Sequence, residues 1–246
     1  MTGTILNVAG IVVGGLAGWL RKRPLSILTQ FFLKNALGAL TVLFGLRLTW
    51  ISVNGTWRQV LKQLGIVLLA LALGKLAGKL LRLQKGSNRL GRFARERIST
   101  AGPGQPARWR NGFSVCSILF CAAPLGIAGA IVDGLTAGST TSEYVYPLAI
   151  KAVMDGVAAM SFVGMFGAGV LWSAVSVLAF QGAITWTCAH WLQPFLREHD
   201  LVDPVNATAG LLIFCVALII FEIKKVEVTD YLPSLAIAPL LTYGLR

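Results

Sequence analysis

Long apolar runs, separated by short polar stretches, dominate the chain from its first residues to its last. A membrane-spanning helix needs about 20 mostly apolar residues, because each residue adds about 1.5 Å and the hydrocarbon layer is about 30 Å thick. The runs that satisfy this length are predicted to be seven transmembrane helices, at about residues 3–20, 34–51, 60–80, 113–132, 147–166, 168–191 and 206–221. A last apolar stretch, 232–245, is short and contains Pro233 and Pro239, so it is predicted to be a half-span or a broken helix.

Composition places the chain in lipid rather than in water. Its 246 residues have a mean hydropathy of +0.71, and 55% of them are hydrophobic while only 13% are charged. A water-soluble domain of this size would carry more charged side chains on its surface. The chain is therefore expected to be an all-α integral membrane protein. It forms one domain, 1–246, a bundle of seven to eight helices in the lipid bilayer.

Positive charge is concentrated in the polar stretches, and this bears on orientation and partners. The net charge is +12, and the densest basic stretch, at about residues 81–111, is predicted to be a surface loop. Cytoplasmic loops of membrane proteins hold an excess of Lys and Arg. The pattern therefore predicts that this loop is cytoplasmic and that the N-terminus lies outside. Because topology accounts for the charge, no nucleic-acid partner is expected.

Two aspartates lie in or at the end of predicted spans, where a charged side chain is costly. Asp155 follows Lys151 by one helical turn, so the two side chains can neutralise each other. The pair is either a functional site or a structural ion pair. Asp133 and Asp155 are each followed by glycine, which permits an unwound backbone. Both positions are thus candidates for helix breaks that expose a carboxylate to a cation, with an ordinary helix end at Asp133 as the alternative.

An amide and a guanidinium complete the candidate residues. Gln181 lies in the middle of the sixth predicted span and must face other helices or a wet cavity, since an unpaired amide in lipid is costly. It belongs either to a binding site or to a hydrogen-bonded helix contact. Arg47, in the second span, is expected to reach a carboxylate, to bind an anionic ligand or to extend its head group to the membrane surface.

Small residues and a short sequence echo bear on helix packing. Gly10, Gly14 and Gly18 form a smooth face on the first helix, which predicts close helix packing or a homo-oligomer. An Asn-Ala pair opens the second span at residues 35–36 and the seventh at 206–207, and these spans run in opposite directions. If the first three helices correspond to the last three, the chain is an inverted repeat. Many transporters with this architecture bind substrate near the middle of the membrane.

Patterns typical of catalysis or metal binding do not occur in the sequence. Asp133 and Asp155 stand alone, without further acids at short helical spacings, and no serine, histidine and acid set follows a plausible order. The four cysteines lie in apolar runs without metal-ligand spacing. The sequence therefore predicts neither an enzyme nor a metal or cofactor.

Several motifs also match a known family. They are Thr4-Ile5-Leu6-Asn7, Gly14-Gly15 with Gly18, Leu119-Phe120-Cys121, Asp133-Gly134-Leu135, Lys151 with Asp155-Gly156, Gln181-Gly182, Leu232-Pro233 and Ala238-Pro239. In this order and spacing, the chain resembles the YqgA-like bacterial membrane proteins of unknown function over nearly its whole length. The resemblance implies a multi-pass protein of the bacterial inner membrane and supplies no substrate.

Two functions stay open at the level of sequence. The first is a small transporter or channel for an ion or small solute, in which polar residues inside the membrane line a site between helices. The second is a structural or regulatory membrane protein, in which the charges are packing pairs and the basic loop contacts lipid or a partner. The candidate site residues are Asp155, Lys151, Asp133, Gln181 and Arg47.

Overall fold

The chain is helical, with no strand, in the ranges that the computed structural model describes: residues 1–21, 25–100, 108–139 and 141–245. A 3-10 turn lies at Ser142–Val145 and a π-helical turn at Cys188–Leu192. The α-helices of these ranges are α1 Thr2–Leu20, α2 Ile27–Ile51, α3 Trp57–Leu80, α4 Leu83–Ser99, α5 Arg108–Cys121, α6 Pro124–Leu135, α7 Tyr146–Phe166, α8 Gly169–Thr187, α9 Gln193–Glu198, α10 Val202–Ile220, α11 Val228–Tyr231 and α12 Ser234–Gly244.

The predicted transmembrane spans correspond to helices. Within the described ranges, six helices are long and apolar enough to cross a membrane, namely α1, α2, α3, α10 and the longer helical stretches that contain α7 and α8. Helices α5 and α6 add a seventh crossing when they are counted as one bent span. The fifth and sixth spans are joined very tightly, since α7 ends at Phe166 and α8 begins at Gly169. The all-α membrane bundle is confirmed.

The fourth span is broken. Helix α5 ends at Cys121, α6 begins at Pro124, and the two helices are bent relative to each other by 61°. Proline lacks a backbone N–H and disfavours helical geometry in the residue before it, and Ala123 has extended backbone angles. A single helix over 113–132, as predicted from the apolar run, was therefore wrong.

Helix α1 packs along α7 over most of its length, and the two helices run in the same direction. Gly10, Gly14 and Gly18 face the backbone of residues 152–160. A Cβ atom at any of the three glycines would collide with a carbonyl oxygen of α7. The predicted close packing is confirmed, because the absence of side chains lets the two backbones touch.

Three further helix pairs complete the bundle: α2 with α10, α5 with α8, and α3 with α12. The apolar faces of the helices in the bundle form two hydrophobic cores. One core contains Leu125 of α6, Leu212 of α10 and Leu235 of α12, and the other contains Phe120 of α5 and Val163 of α7. The break between α5 and α6 thus lies at the boundary between the two cores.

The last apolar stretch follows α3 along its length. Asp230 lies against Gly78 near the end of α3, and Lys62 Nζ, near its start, donates a 2.7 Å hydrogen bond to the Leu245 carbonyl oxygen. Helices α11 and α12 therefore cover the same height as most of α3. Of the two forms predicted for this stretch, the structure has the broken helix.

The basic stretch contains a helix where a surface loop was predicted. Helix α4 covers Leu83–Ser99, and Arg82, which separates it from α3, has a left-handed backbone with φ of 56°. Ala94 is buried, and Leu83 and Ile98 on the same face are half-buried. Over Leu83–Ser99 the prediction of a loop was wrong, because Arg, Lys and Gln are good helix formers and a narrow apolar face was enough to hold the helix against the bundle. Residues 101–107 of the predicted loop lie outside the described ranges.

Candidate functional site

The centre of the candidate site is an ion pair within α7. Lys151 and Asp155 are 2% and 8% exposed, and Lys151 Nζ lies 2.5 Å from Asp155 Oδ2. The helix presents both side chains on one face because they are four residues apart. The predicted pairing is confirmed. Two charges held in a medium of low dielectric depend on each other, since removal of either partner leaves the other unpaired.

Two amides from other helices lie beside this pair. Gln181 of α8 and Asn7 of α1 are fully buried, and Asn7 Nδ2 donates a 3.1 Å hydrogen bond to Gln181 Oε1. The Asn7 amide is also near the Asp155 carboxylate. The remaining amide atoms, Asn7 Oδ1 and Gln181 Nε2, have no hydrogen-bond partner among the described residues. Unsatisfied buried amide groups of this kind are uncommon and mark the place as chemically unusual.

The break between α5 and α6 brings a helix start to the same place. Gly126, in the first turn of α6, is so close to the site that a Cβ atom there would lie 2.6 Å from Lys151 Cε and 2.8 Å from Gln181 Nε2. Four helices therefore contribute to the site: α1, α6, α7 and α8. Sequence reasoning found Lys151, Asp155 and Gln181 but missed Asn7 and Gly126. Gly126 was missed because the apolar run through Pro124 concealed the break.

Asp133 has a different role from the one that the Asp-Gly repetition suggested. Its carboxylate lies at the start of α1, where it accepts hydrogen bonds from the backbone N–H groups of Gly3 at 3.2 Å and Thr4 at 3.3 Å. The Met1 amino group is 3.5 Å away. Asp133 lies near the end of α6, so of the two alternatives predicted for it the structure has the ordinary helix end. The alternative of an unwound segment at Asp155 was wrong, since α7 continues through that position.

A row of polar contacts between α1 and α8 connects the neighbourhoods of the two aspartates. Thr4 Oγ1 lies 3.0 Å from Thr185 Oγ1 and also reaches Asp133. One turn further along both helices, Asn7 contacts Gln181. The two acids do not meet in a common cavity. They lie at opposite ends of a buried polar row, which we call the α1–α8 polar row.

Arg47 does not take part in this site. Its guanidinium Nε donates a 2.6 Å hydrogen bond to Glu143, just before α7, and its side chain is largely exposed. Of the roles predicted for Arg47, the structure shows the contact with a carboxylate. Its charge is balanced locally.

Comparison with known proteins identifies relatives but no activity. Residues 2–243 match the family described as Protein of unknown function (DUF554). The chain is 26% identical to the Uncharacterized membrane protein YdfK of Bacillus subtilis over 252 residues, which covers 100% of both chains. It is 28% identical to the Uncharacterized protein YqgA of Escherichia coli over 238 residues, covering 96% of this chain and 94% of the relative. No solved structure matches it.

Proposed function

Because the chain belongs to the DUF554 family, which is described only as being of unknown function, we propose a function from its own buried chemistry. The protein is a small transporter for an ion or small solute, and the Lys151–Asp155 pair responds to the passing ion. One observation carries this proposal: the pair is buried beside a broken helix and two unpartnered amide atoms of the described chain. Ionisable groups inside a membrane usually belong to substrate and ion pathways.

In this mechanism Lys151 is a counter-ion tethered to the Asp155 carboxylate. A proton or cation that reaches Asp155 competes with Lys151 Nζ for the same oxygen atom, because either one neutralises the carboxylate. Binding therefore releases the lysine side chain, which packs against Gly126 at the start of α6. Occupancy of Asp155 is in this way linked to the contact between α6 and α7.

The broken helix and the amides supply the polar surface for passage. Breaks in transporter helices expose backbone groups to substrates and ions near the middle of the membrane. Here the break leaves residues 122–123 outside both helices, directly before the turn that contacts Lys151 and Gln181. The amide atoms Asn7 Oδ1 and Gln181 Nε2 offer one acceptor and one donor to a polar solute.

Helix pairing supports the inverted repeat predicted from the sequence. Contacts join α1 to α8, α2 to α10 and α3 to α12. Each pair combines a helix of the first three spans with its counterpart in the last three, and the two members run in opposite directions. A two-fold axis in the membrane plane would relate the helices in this manner, as in transporters with inverted repeats.

The proposal includes an orientation in a bacterial inner membrane, with the N-terminus outside. Lys79 in the last turn of α3 and Arg82 directly after that helix lie at the same end of the bundle as Lys224 and Lys225, which lie between α10 and α11. This end is here called the basic end. Excess positive charge favours the cytoplasm. A cysteine introduced at Gly55, between α2 and α3, should react with a membrane-impermeant maleimide from outside. Reaction only from the cytoplasmic side would contradict the orientation.

Reconstitution tests the transport proposal. Purified protein in liposomes containing a pH-sensitive dye is exposed in turn to gradients of H⁺, Na⁺ and K⁺, and charge movement is recorded on a solid-supported membrane. Wild-type protein should move at least one of these ions faster than empty liposomes, and Asp155→Asn should reduce the flux to background. Asp133→Asn, a matched loss of one buried carboxylate, should retain most of it. Absence of flux and charge movement in folded wild-type protein would contradict transport of these cations, and normal flux in folded Asp155→Asn would contradict the proposed role of the pair.

A structural or regulatory role is the second candidate, and the short intrahelical contact between Lys151 and Asp155 favours it. In this role the ion pair neutralises its own charges and stabilises the bundle, and it does not bind or respond to ions. In that case Asp155→Asn changes thermal stability and abundance, while any ion flux of the folded protein is unaffected.

A further inference from the structure

Helix α4 presents a fixed row of basic side chains at the basic end. Lys85, Arg89 and Arg92 are exposed and spaced so that they share one face of the helix. None of the three forms an ion pair or hydrogen bond with another described residue. Their charge is therefore directed outward rather than neutralised within the described part of the molecule.

Contacts on the opposite face hold α4 in this orientation. Ala94 is fully buried in the core shared by α1, α5, α7 and α8. Arg97 donates a 2.7 Å hydrogen bond to Asn111 Oδ1 of α5, and the backbone N–H of Gln84 donates a 2.7 Å hydrogen bond to Asp230 Oδ1 of α11. The helix is thus attached at its start, at its end and along its inner face.

A polar cavity lies at the start of the same helix. Its volume is about 310 Å³, and it is lined by the cations Lys79, Arg82 and Lys85, by the carboxylates of Glu227 and Asp230, and by the amides of Gln84 and Asn88. Gln84 Oε1 is buried and has no hydrogen-bond partner among the described residues. The cavity therefore offers three cations, two carboxylates and two amide side chains, and this mixture of cations and acceptors suits a phosphate group that carries hydroxyl substituents.

The location of the helix fits a membrane surface. Helix α4 begins at Leu83, shortly after the membrane-spanning helix α3 ends at Leu80. Leu90 and Phe93 are 42% and 37% exposed and lie to one side of the basic row. A helix with exposed apolar side chains beside basic ones is typical of the boundary between lipid head groups and acyl chains.

From these observations we propose that α4 binds the head group of an anionic phospholipid of the phosphatidylglycerol type. The binding surface, which we call the α4 surface, consists of Lys79, Arg82, Lys85, Arg89 and Arg92. The cations contact the phosphate, the head-group hydroxyls donate to Glu227 and Gln84, and the exposed apolar side chains enter the lipid layer. This inference does not depend on the transport proposal, because it concerns a surface remote in sequence from Lys151 and Asp155.

Lipid selectivity of the full-length protein tests this proposal. The protein is reconstituted in phosphatidylcholine vesicles with a trace of spin-labelled phosphatidylglycerol or spin-labelled phosphatidylcholine, and electron spin resonance gives the relative association of the two. One variant is Lys85→Gln/Arg89→Gln/Arg92→Gln. The matched control, Arg21→Gln/Lys224→Gln/Lys225→Gln, removes three exposed charges from the same end outside the α4 surface. A double variant, Arg89→Gln/Arg92→Gln, serves if the triple variant does not fold.

Wild-type protein should prefer the anionic lipid by about fivefold or more, since each Lys or Arg near an anionic surface contributes roughly that factor. The α4 variant should lose most of this preference and the control should keep it. Equal binding of the two lipids by wild-type protein would overturn the proposal, and so would equal losses in the two variants, which would indicate net charge alone. Displacement of the labelled lipid by soluble glycerol 3-phosphate would assign the surface to a free phosphate ligand instead.

Discussion

The chain contains the dipeptide Asp-Gly at 133–134 and again at 155–156, in similar sequence, and the two sites differ in what surrounds them. Asp133-Gly134 lies near the end of α6, where the carboxylate accepts hydrogen bonds from the first turn of α1. Asp155-Gly156 lies inside α7, where the carboxylate faces the ammonium of Lys151. One acid is satisfied by backbone N–H groups, and the other depends on a single buried cation. The dipeptide alone therefore does not define the chemistry.

The glycines of the two Asp-Gly dipeptides, in contrast, have the same role. A Cβ atom at Gly134 would lie 2.6 Å from the Thr185 carbonyl oxygen, and one at Gly156 would lie 2.7 Å from the Gly10 carbonyl oxygen. In both dipeptides the glycine lets another helix backbone approach. The repeated Asp-Gly dipeptide thus reflects close packing next to a buried acid, and it does not mark two unwound segments.

The largest effect should come from leaving the Asp155 carboxylate without its partner. Lys151→Met is expected to lower the free energy of unfolding by about 3–5 kcal/mol, because a single charge then stays in the interior. The double variant Lys151→Met/Asp155→Asn should recover most of this loss. Thermal unfolding in detergent, with membrane abundance in parallel, measures both. If Lys151→Met is as stable as wild type, the Asp155 carboxylate does not depend on Lys151 for its neutralisation.

The shared role of the two glycines is tested next. Gly134→Ala and Gly156→Ala should each cost about 1–3 kcal/mol, since the added methyl group meets backbone atoms that cannot rotate away. Gly182→Ala is the matched control, because a Cβ atom there meets nothing within 4 Å. Its effect on thermal unfolding should stay within about 0.5 kcal/mol. If Gly134→Ala or Gly156→Ala lowered thermal stability as little as Gly182→Ala does, the two glycines would not share the same packing role.

A smaller effect is expected when the capping acid is removed. Asp133→Ala deprives the first turn of α1 of its acceptor, which typically costs about 0.5–2 kcal/mol. Ion flux of the folded variant should persist, because Asp133 is separated from Asp155 by the α1–α8 polar row. Loss of flux without loss of stability would show instead that the two acids act together.

The smallest effect belongs to the exposed ion pair at the basic end. Lys34 Nζ lies 2.5 Å from Glu222 Oε1 and lowers the pKa of Glu222 through that hydrogen bond and its charge. The pair therefore stabilises the fold above the unfolded-state pKa of Glu222, and this contribution disappears as the pH falls through the lowered pKa. Glu222→Gln should leave the melting temperature at neutral pH almost unchanged and weaken its decline below about pH 4.5. If Glu222→Gln lowered stability at neutral pH as much as Lys151→Met, the exposed ion pair would contribute as much as the buried one, which would contradict this expectation.

Much of the fold was predictable because lipid imposes a simple pattern on sequence. Each long apolar run except the fourth, which is broken before Pro124, corresponds to one span, and the tight turn before Gly169 followed from the spacing of two runs. The Lys151–Asp155 pair was predictable for the same local reason, since helix geometry alone places residues four apart on one face.

Contacts between distant parts of the chain were not predictable in this way. Asp133 meets Gly3 across 130 residues, so its role as a cap on α1 depends on how the helices assemble. Asn7 was part of a family motif and was not a candidate site residue, because only the packing of α1 against α8 places it beside Gln181. The break at Pro124 had a local signal, the proline itself, which the surrounding apolar residues outweighed.

Ion flux through the double variant Lys151→Met/Asp155→Asn is the most direct test of the central claim that this pair serves transport. The variant removes both charges together, so the fold should stay largely stable and loss of structure cannot account for loss of function. In liposomes with the gradients of H⁺, Na⁺ and K⁺ described above, the transport proposal predicts a folded protein whose flux does not exceed that of empty liposomes. Flux at the wild-type rate would contradict it and leave the pair a structural one.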